Sequence, residues 1–88
     1  MSTCTVLFFA TLKDRTGTRQ VTLEIPDGLT VGGLKTIIRD KFPAITTALA
    51  HALIAVNREY AIDDDPIPAE AEIALFPPVS GGSWRLYI

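Results

Sequence analysis

The sequence has few of the residues that mark a catalytic or metal-binding protein. It contains one cysteine, Cys4, so it cannot form an internal disulfide, and one histidine, His51, which we expect to pack within an apolar stretch. We expect Cys4 to be a buried structural thiol, because it starts an apolar strand and no base lies near it in sequence. No Cys-His pair, Ser-His-Asp set or metal-ligand cluster is recognisable. We therefore predict no catalytic residues, no metal site and no bound cofactor.

Long runs of apolar residues or of like charge are also scarce. The apolar stretch 44–56 is interrupted by polar residues and is shorter than the roughly 20 residues that span a bilayer, and residues 6–10 are too short for a signal segment. Charges of both signs are mixed, the formal net charge is −2, and there is no basic stripe. The acidic run 63–65 is expected to be a solvated turn before Pro66. We expect a cytoplasmic protein that binds neither membrane nor nucleic acid.

The first half of the chain has the pattern of a hairpin followed by a helix. Residues 5–12 and 20–25 predict two strands joined by a polar turn at 13–17. Thr30 is a suitable N-cap for a helix that ends before Pro43. Gly32 and Gly33, in its first turn, are expected to permit close approach of the helix to the sheet. The apolar residues of this helix fall at helical spacing: Val31, Leu34, Ile37, Ile38 and Phe42.

The second half predicts further strands. Residues 53–57 and 72–76 predict strands, with a polar turn at 58–59 and a short extended piece at 60–62 between them. This order predicts an α+β fold of the β-grasp, ubiquitin-like type, with a mixed sheet of four to five strands on one main helix. A ferredoxin-like fold is the alternative, but it requires a second full helix, and residues 45–52 could supply only a short one.

The most informative segment is the stretch Phe76-Pro77-Pro78-Val79-Ser80-Gly81-Gly82. The two prolines fix the direction in which the chain leaves the sheet. The two glycines give a thread thin enough to enter a narrow channel in a partner enzyme. A carboxylate at that end could be activated by ATP and displaced by sulfur. Here, however, residues 83–88 follow, so the carboxyl group of Gly82 is held in a peptide bond.

The chain resembles the MoaD family, the small subunits of molybdopterin synthase. The resemblance covers nearly all of residues 5–82, and its most specific part is the ending just described. It rests also on the motifs Val6-Leu7-Phe8-Phe9-Ala10, Ala55-Val56-Asn57, Asp65-Pro66-Ile67 and Glu72-Ile73-Ala74-Leu75. The turn before the last strand usually carries a Gly-Asp pair in this family. Here it reads Ala69-Glu70-Ala71, so the backbone of this turn is expected to differ from the family's, whereas the function is not.

The resemblance implies a sulfur carrier. Gly82 would be adenylated by a MoeB-like enzyme that consumes ATP and then converted to a thiocarboxylate. A MoaE-like large subunit would use this sulfur to build the dithiolene of molybdopterin. The resemblance assigns tail threading to Val79, Ser80 and Gly81. It assigns partner binding to four residues: Phe9, Lys13, Tyr60 and Phe76.

The segment after the diglycine leaves several interpretations open. We divide the chain into a carrier domain, residues 1–82, and an extension, residues 83–88. The extension could be removed by a processing peptidase, could be the remnant of a fused partner, or could accompany a loss of sulfur transfer. Its apolar residues alternate as in a strand, so the alternative function is an interaction module whose tail mediates self-association. A related carrier for thiamine, cysteine or tRNA thiolation is a further alternative.

Overall fold

The computed structural model of the protein describes residues 1–77. Its elements follow one another along the chain as β1 (Ser2–Phe8), α1 (Ala10–Thr16), β2 (Gln20–Ile25), α2 (Val31–Lys41), a 3-10 turn (Pro43–Ile45), α3 (Thr46–Ala50), β3 (Leu53–Val56), β4 (Glu59–Tyr60) and β5 (Ala71–Phe76).

The five strands form one mixed sheet in the order β2-β1-β5-β3-β4. β1 and β5 run parallel, whereas β2 is antiparallel to β1, and β3 is antiparallel to both β5 and β4. Leu34 and Ile38 of α2 share one apolar core with Val6 and Ile73 of the sheet. The predicted mixed sheet on one main helix is therefore confirmed. α3 has five residues, so residues 45–52 supply only the short helix that was expected.

The connection between β1 and β2 differs from the prediction. β1 ends at Phe8, and residues 10–16 form α1 in place of the end of a strand and a tight turn. Ala10 has a φ of 49°, which breaks the extended run, and Leu12 turns into the core. α1 ends at Gly17, which has a φ of 76° and donates its N–H to the carbonyl of Lys13 at 3.0 Å. The two strands still pair antiparallel, as expected.

α2 begins and ends where the sequence predicts. The hydroxyl of Thr30 accepts a hydrogen bond from the N–H of Gly33 at 3.2 Å, and the last helical residue is Lys41. Gly32 and Gly33 do permit close packing against α2, but their neighbours are loop residues and not the sheet. A Cβ on Gly33 would lie 2.5 Å from Cδ1 of Leu29, and one on Gly32 would lie 3.4 Å from Asp63.

The acidic run 63–65 is a turn that closes the N-terminal end of α2. The carbonyls of Asp65 and Asp63 accept the N–H groups of Val31 and Gly32, both at 2.9 Å. Nζ of Lys35 lies 2.7 Å from Oδ1 of Asp63. The polar atoms of this loop thus have structural partners, in keeping with the predicted turn.

The turn between β3 and β4 lies one residue earlier than predicted. Asn57 and Arg58 both have positive φ, 50° and 71°, as in the two-residue turns that suit a twisted hairpin. β4 is therefore Glu59–Tyr60, rather than an extended piece at 60–62. Asn57 also anchors β5, because its side-chain oxygen accepts the N–H of Glu72 at 2.9 Å.

The two residues singled out for their chemistry behave differently. Cys4 is buried, as predicted, and burial raises the pKa of its thiol. The packing role expected for His51 is wrong, because it is exposed at the C-terminal end of α3. Within residues 1–77, no helix is long and apolar enough to cross a membrane.

Candidate functional site

The ends of β1 and β5 place two phenylalanines side by side. Because these strands are parallel and Phe8 lies opposite Leu75, the segments that follow β1 and β5 leave the sheet at the same edge. The N–H of Phe9 donates to the carbonyl of Leu75 at 3.2 Å. The rings of Phe9 and Phe76 are stacked, with centroids 4.8 Å apart and planes 22° apart. The segment that follows β5 therefore starts beside Phe9.

The stacked pair lies on the face of the sheet opposite α2, which we call the outer face. Ile73 and Leu75 belong to the core beneath α2, so the alternating residues Ala74 and Phe76 point the other way. Phe9 is half-buried, as suits a residue at the edge of this face. Phe76, to which the resemblance assigns partner binding, lies on this face but is only 3% exposed. The stacked ring of Phe9 covers part of it.

Tyr60 lies on the same outer face, two strands away. It is opposite Ala55, which is opposite Ala74, and directly opposed residues of neighbouring strands point to one side. Leu7 continues this row on β1. The small side chains of Ala55 and Ala74 thus separate Tyr60, which is 48% exposed, from Leu7.

A cleft of about 530 Å³ connects Phe9 to the charged residues of the α1 end of the molecule. Lys13, which is exposed on α1, lines it together with Phe9 and Arg19. Tyr60 lines a different cleft, of about 460 Å³, beside Pro66 and Pro68. The structure therefore brings Phe9, Phe76 and Lys13 together and sets Tyr60 apart on the same face.

Three contributors to this site were not predicted. α1 carries Lys13 to the edge of the cleft, and Arg19 and Leu7 also line it. The spacing of Phe9, Leu12 and Thr16 is helical and was the available signal for α1. No sequence pattern pointed to Arg19.

The remaining predicted site residues, Val79, Ser80, Gly81 and Gly82, lie outside the described residues, as does the extension 83–88. Among residues 1–77, no three His, Cys, Asp or Glu side chains are grouped so that they could hold a metal ion. The buried Cys4 has its thiol pKa raised, which disfavours the nucleophilic thiolate. The described part of the site thus offers a surface for binding and a fixed exit for the tail.

A profile of the ThiS family matches residues 6–82. The chain belongs to the ThiS family. It is 38% identical over 79 residues to a molybdopterin synthase sulfur carrier subunit from Caenorhabditis briggsae, covering 88% of this chain and 94% of that protein. It is 34% identical over 77 residues to the subunit of the same name from Arabidopsis thaliana, covering 88% and 80%. The resemblance to the MoaD family is therefore confirmed.

Solved structures confirm the β-grasp fold. The crystal structure of SAMP1 from Haloferax volcanii superposes with a TM-score of 0.81 and 30% identity, covering 91% of this chain and 99% of that one. A complex of subunits 1 and 2 of the molybdopterin-converting factor from Helicobacter pylori superposes with a TM-score of 0.66, covering 91% and 99%. Identity to the latter is 22%, so it supports the fold alone.

Proposed function

We propose that this protein is the sulfur carrier of molybdopterin synthase, with the sulfur held as a thiocarboxylate on Gly82. The observation that carries this proposal is its similarity to proteins named molybdopterin synthase sulfur carrier subunits over 88% of the chain. The family match ends at residue 82, which is the second glycine of the diglycine. Residues 83–88 lie beyond the shared region, in keeping with a division into a carrier domain and an extension.

Sulfur loading requires a free carboxylate on Gly82. In the first step, a peptidase would hydrolyse the bond between Gly82 and Ser83. One carboxylate oxygen would then attack the α-phosphorus of ATP, with pyrophosphate leaving, to give an acyl-adenylate on a MoeB-like activating enzyme. Hydrosulfide would attack the carbonyl carbon and displace AMP, leaving the thiocarboxylate with no change in oxidation state. The carrier supplies no catalytic side chain in this sequence of steps.

The large subunit of the synthase would receive the thiocarboxylate. The outer-face residues Phe9 and Tyr60, with Lys13 beside Phe9, are suited to bind it, because they combine aromatic surface with one cation. Phe76, which is almost fully buried, would contribute by supporting the ring of Phe9. Val79, Ser80 and Gly81 would thread the tail toward the large subunit's active site. There the sulfur would be used to form the dithiolene of molybdopterin.

The test is the intact mass of the protein after incubation with ATP, the activating enzyme and a sulfur donor. We expect a version that ends at Gly82 to gain the mass difference between one sulfur and one oxygen. The 88-residue chain should gain it only after a lysate of the source organism has removed residues 83–88. Gly82→Ala in the shortened version is the control, which should fold normally and load poorly because its Cβ obstructs the channel.

Two results would contradict the proposal. If the version ending at Gly82 is never adenylated, the protein is not a sulfur carrier and the interaction-module alternative gains support. If it is loaded but the large subunit cannot use its sulfur, the carrier serves another thiolation pathway.

A further inference from the structure

The charges of this protein are unevenly distributed. Residues 1–20 contain three basic residues and one acidic residue, Asp14, whereas residues 21–77 contain four basic and nine acidic residues. The three cations of the first region are Lys13, Arg15 and Arg19, all exposed at the corner between α1 and β2. We call these three residues the basic corner. It gives a positive region to a chain whose net charge is −2.

The backbone holds the basic corner next to the candidate site. The carbonyl of Arg19 accepts the N–H of Phe8 at 2.8 Å, and that of Lys13 accepts the N–H of Gly17 at 3.0 Å. Lys13 and Arg19 line the cleft that contains Phe9, and both also line a second depression on the side of Asp14. The two cations therefore form a continuous border with the aromatic surface.

Neither ion pairing nor helix stabilisation accounts for all three cations. The ion pairs found within residues 1–77 join Met1 to Asp27 and Lys35 to Asp63, and none involves the basic corner. Lys13 and Arg15 lie in the last turn of α1, where a cation stabilises the helix end by about 0.3–1 kcal/mol. Arg19 lies beyond the helix, directly before β2, so this explanation does not extend to it.

We infer that the basic corner binds an acidic segment of the synthase large subunit, at the rim of the outer face beside Phe9. This inference rests on the proposed function. A guanidinium can bind a carboxylate through two parallel hydrogen bonds, and rim charges of opposite sign accelerate association and fix the register of an interface. A carboxylate-rich partner segment therefore matches the charge of the basic corner and the position of Lys13 and Arg19 beside Phe9.

The test compares two double variants with the same change in charge. Arg15→Glu/Arg19→Glu alters the basic corner, whereas Arg39→Glu/Lys41→Glu alters two exposed cations in the last turn of α2, which packs on the other face of the sheet. The dissociation constant for the large subunit of the source organism is measured at about 0.05 M and 0.5 M salt, since screening removes long-range attraction at the higher value. Both the 88-residue chain and the version ending at Gly82 are used.

We expect Arg15→Glu/Arg19→Glu to weaken binding about 30-fold at low salt and only a few-fold at high salt, chiefly through a slower association rate. The neutral pair Arg15→Gln/Arg19→Gln should lose less, whereas the α2 pair should stay within about 3-fold of the parent at both salt concentrations. Reversing the matching acidic residues of the large subunit to lysine should restore binding to the Glu variant.

Two outcomes would overturn the inference. One is an equal loss for the basic-corner and α2 pairs, which would show a general effect of net charge. The other is unchanged binding to the large subunit together with a loss of salt-sensitive self-association, which would make a second copy of this chain the occupant. Thiocarboxylate loading is measured on the same samples. If the version ending at Gly82 loads normally, either outcome sinks this inference alone, whereas failure of that version to load would contradict the proposed function.

Discussion

The inner and outer faces of the sheet use similar residue types for different purposes. On the inner face, Ile73 and Leu75 are completely buried beneath α2. On the outer face, Tyr60 stays 48% exposed and Phe9 half-buried, with Lys13 exposed beside it. The apolar residues of the inner face stabilise the fold, whereas Phe9 and Tyr60 on the outer face keep exposed area, which the proposed function would bury against the large subunit. Substitutions on the two faces should therefore separate stability from binding.

The largest effect is expected on the inner face. Ile73→Ala removes a completely buried side chain from the strand at the centre of the sheet and should lower the free energy of unfolding by about 3 kcal/mol. Tyr60→Ala on the outer face should cost less than about 1 kcal/mol. Urea unfolding of both variants measures the difference, and equal losses would refute the distinction between the faces.

When affinity for the large subunit is measured, substitutions on the outer face should have the larger effect. Phe9→Ala removes one ring of the stacked pair at the exit of the tail and should weaken binding to the large subunit about 30-fold, the range of an interface hot spot. Thr36→Ala, on the exposed side of α2, is the control and should change binding less than about 2-fold. Calorimetry on folded samples gives both values. A parent-like affinity for the Phe9 variant would remove this ring from the interface.

The helix that covers the inner face allows a finer test. Gly33→Ala should destabilise the protein by about 1 kcal/mol net, because the new Cβ would displace Leu29, and this cost exceeds the gain in helix propensity. Gly32→Ala should be neutral or stabilising, since its Cβ would meet Asp63 at 3.4 Å. Thermal unfolding distinguishes the two, and the reverse order would contradict the assigned neighbours.

The smallest effect concerns Cys4. Burial raises its thiol pKa, so the folded chain holds the proton to a higher pH than the unfolded chain does. This contribution to stability is complete below the unfolded pKa and is lost as the pH rises through the folded pKa. Between pH 7 and pH 10, the unfolding free energy should fall more for the parent than for Cys4→Ala. An equal fall in both proteins would show that folding does not raise the pKa of this thiol.

Helices and strands could be predicted from the sequence where their pattern of apolar residues extends over several positions. α2 follows from a capping threonine and helical spacing, β2 follows from strict alternation, and β5 follows from a short run of apolar residues. α1 was missed because the run Phe8-Phe9-Ala10 continues the apolar strand, and a single positive φ at Ala10 has no marker in sequence. Short apolar runs do not distinguish a strand from a helix start.

The candidate site shows the same limit. A strand over residues 72–76, as predicted, puts Phe76 on the face opposite Ile73, because successive side chains of a strand alternate. Its stacking on Phe9 depends on the parallel pairing of β1 and β5, which brings the two residues together. The position of Arg19 beside Phe9 likewise depends on strand register, which local patterns do not encode.

The most direct test of the account is sulfur delivery itself. The chain ending at Gly82, loaded as a thiocarboxylate, is mixed with its large subunit and cyclic pyranopterin monophosphate, and its intact mass is followed while dithiolene formation is measured. We predict that the thiocarboxylate returns to carboxylate as the dithiolene appears, and that Phe9→Ala slows both changes equally. A thiocarboxylate that persists while the substrate stays unchanged would contradict the account.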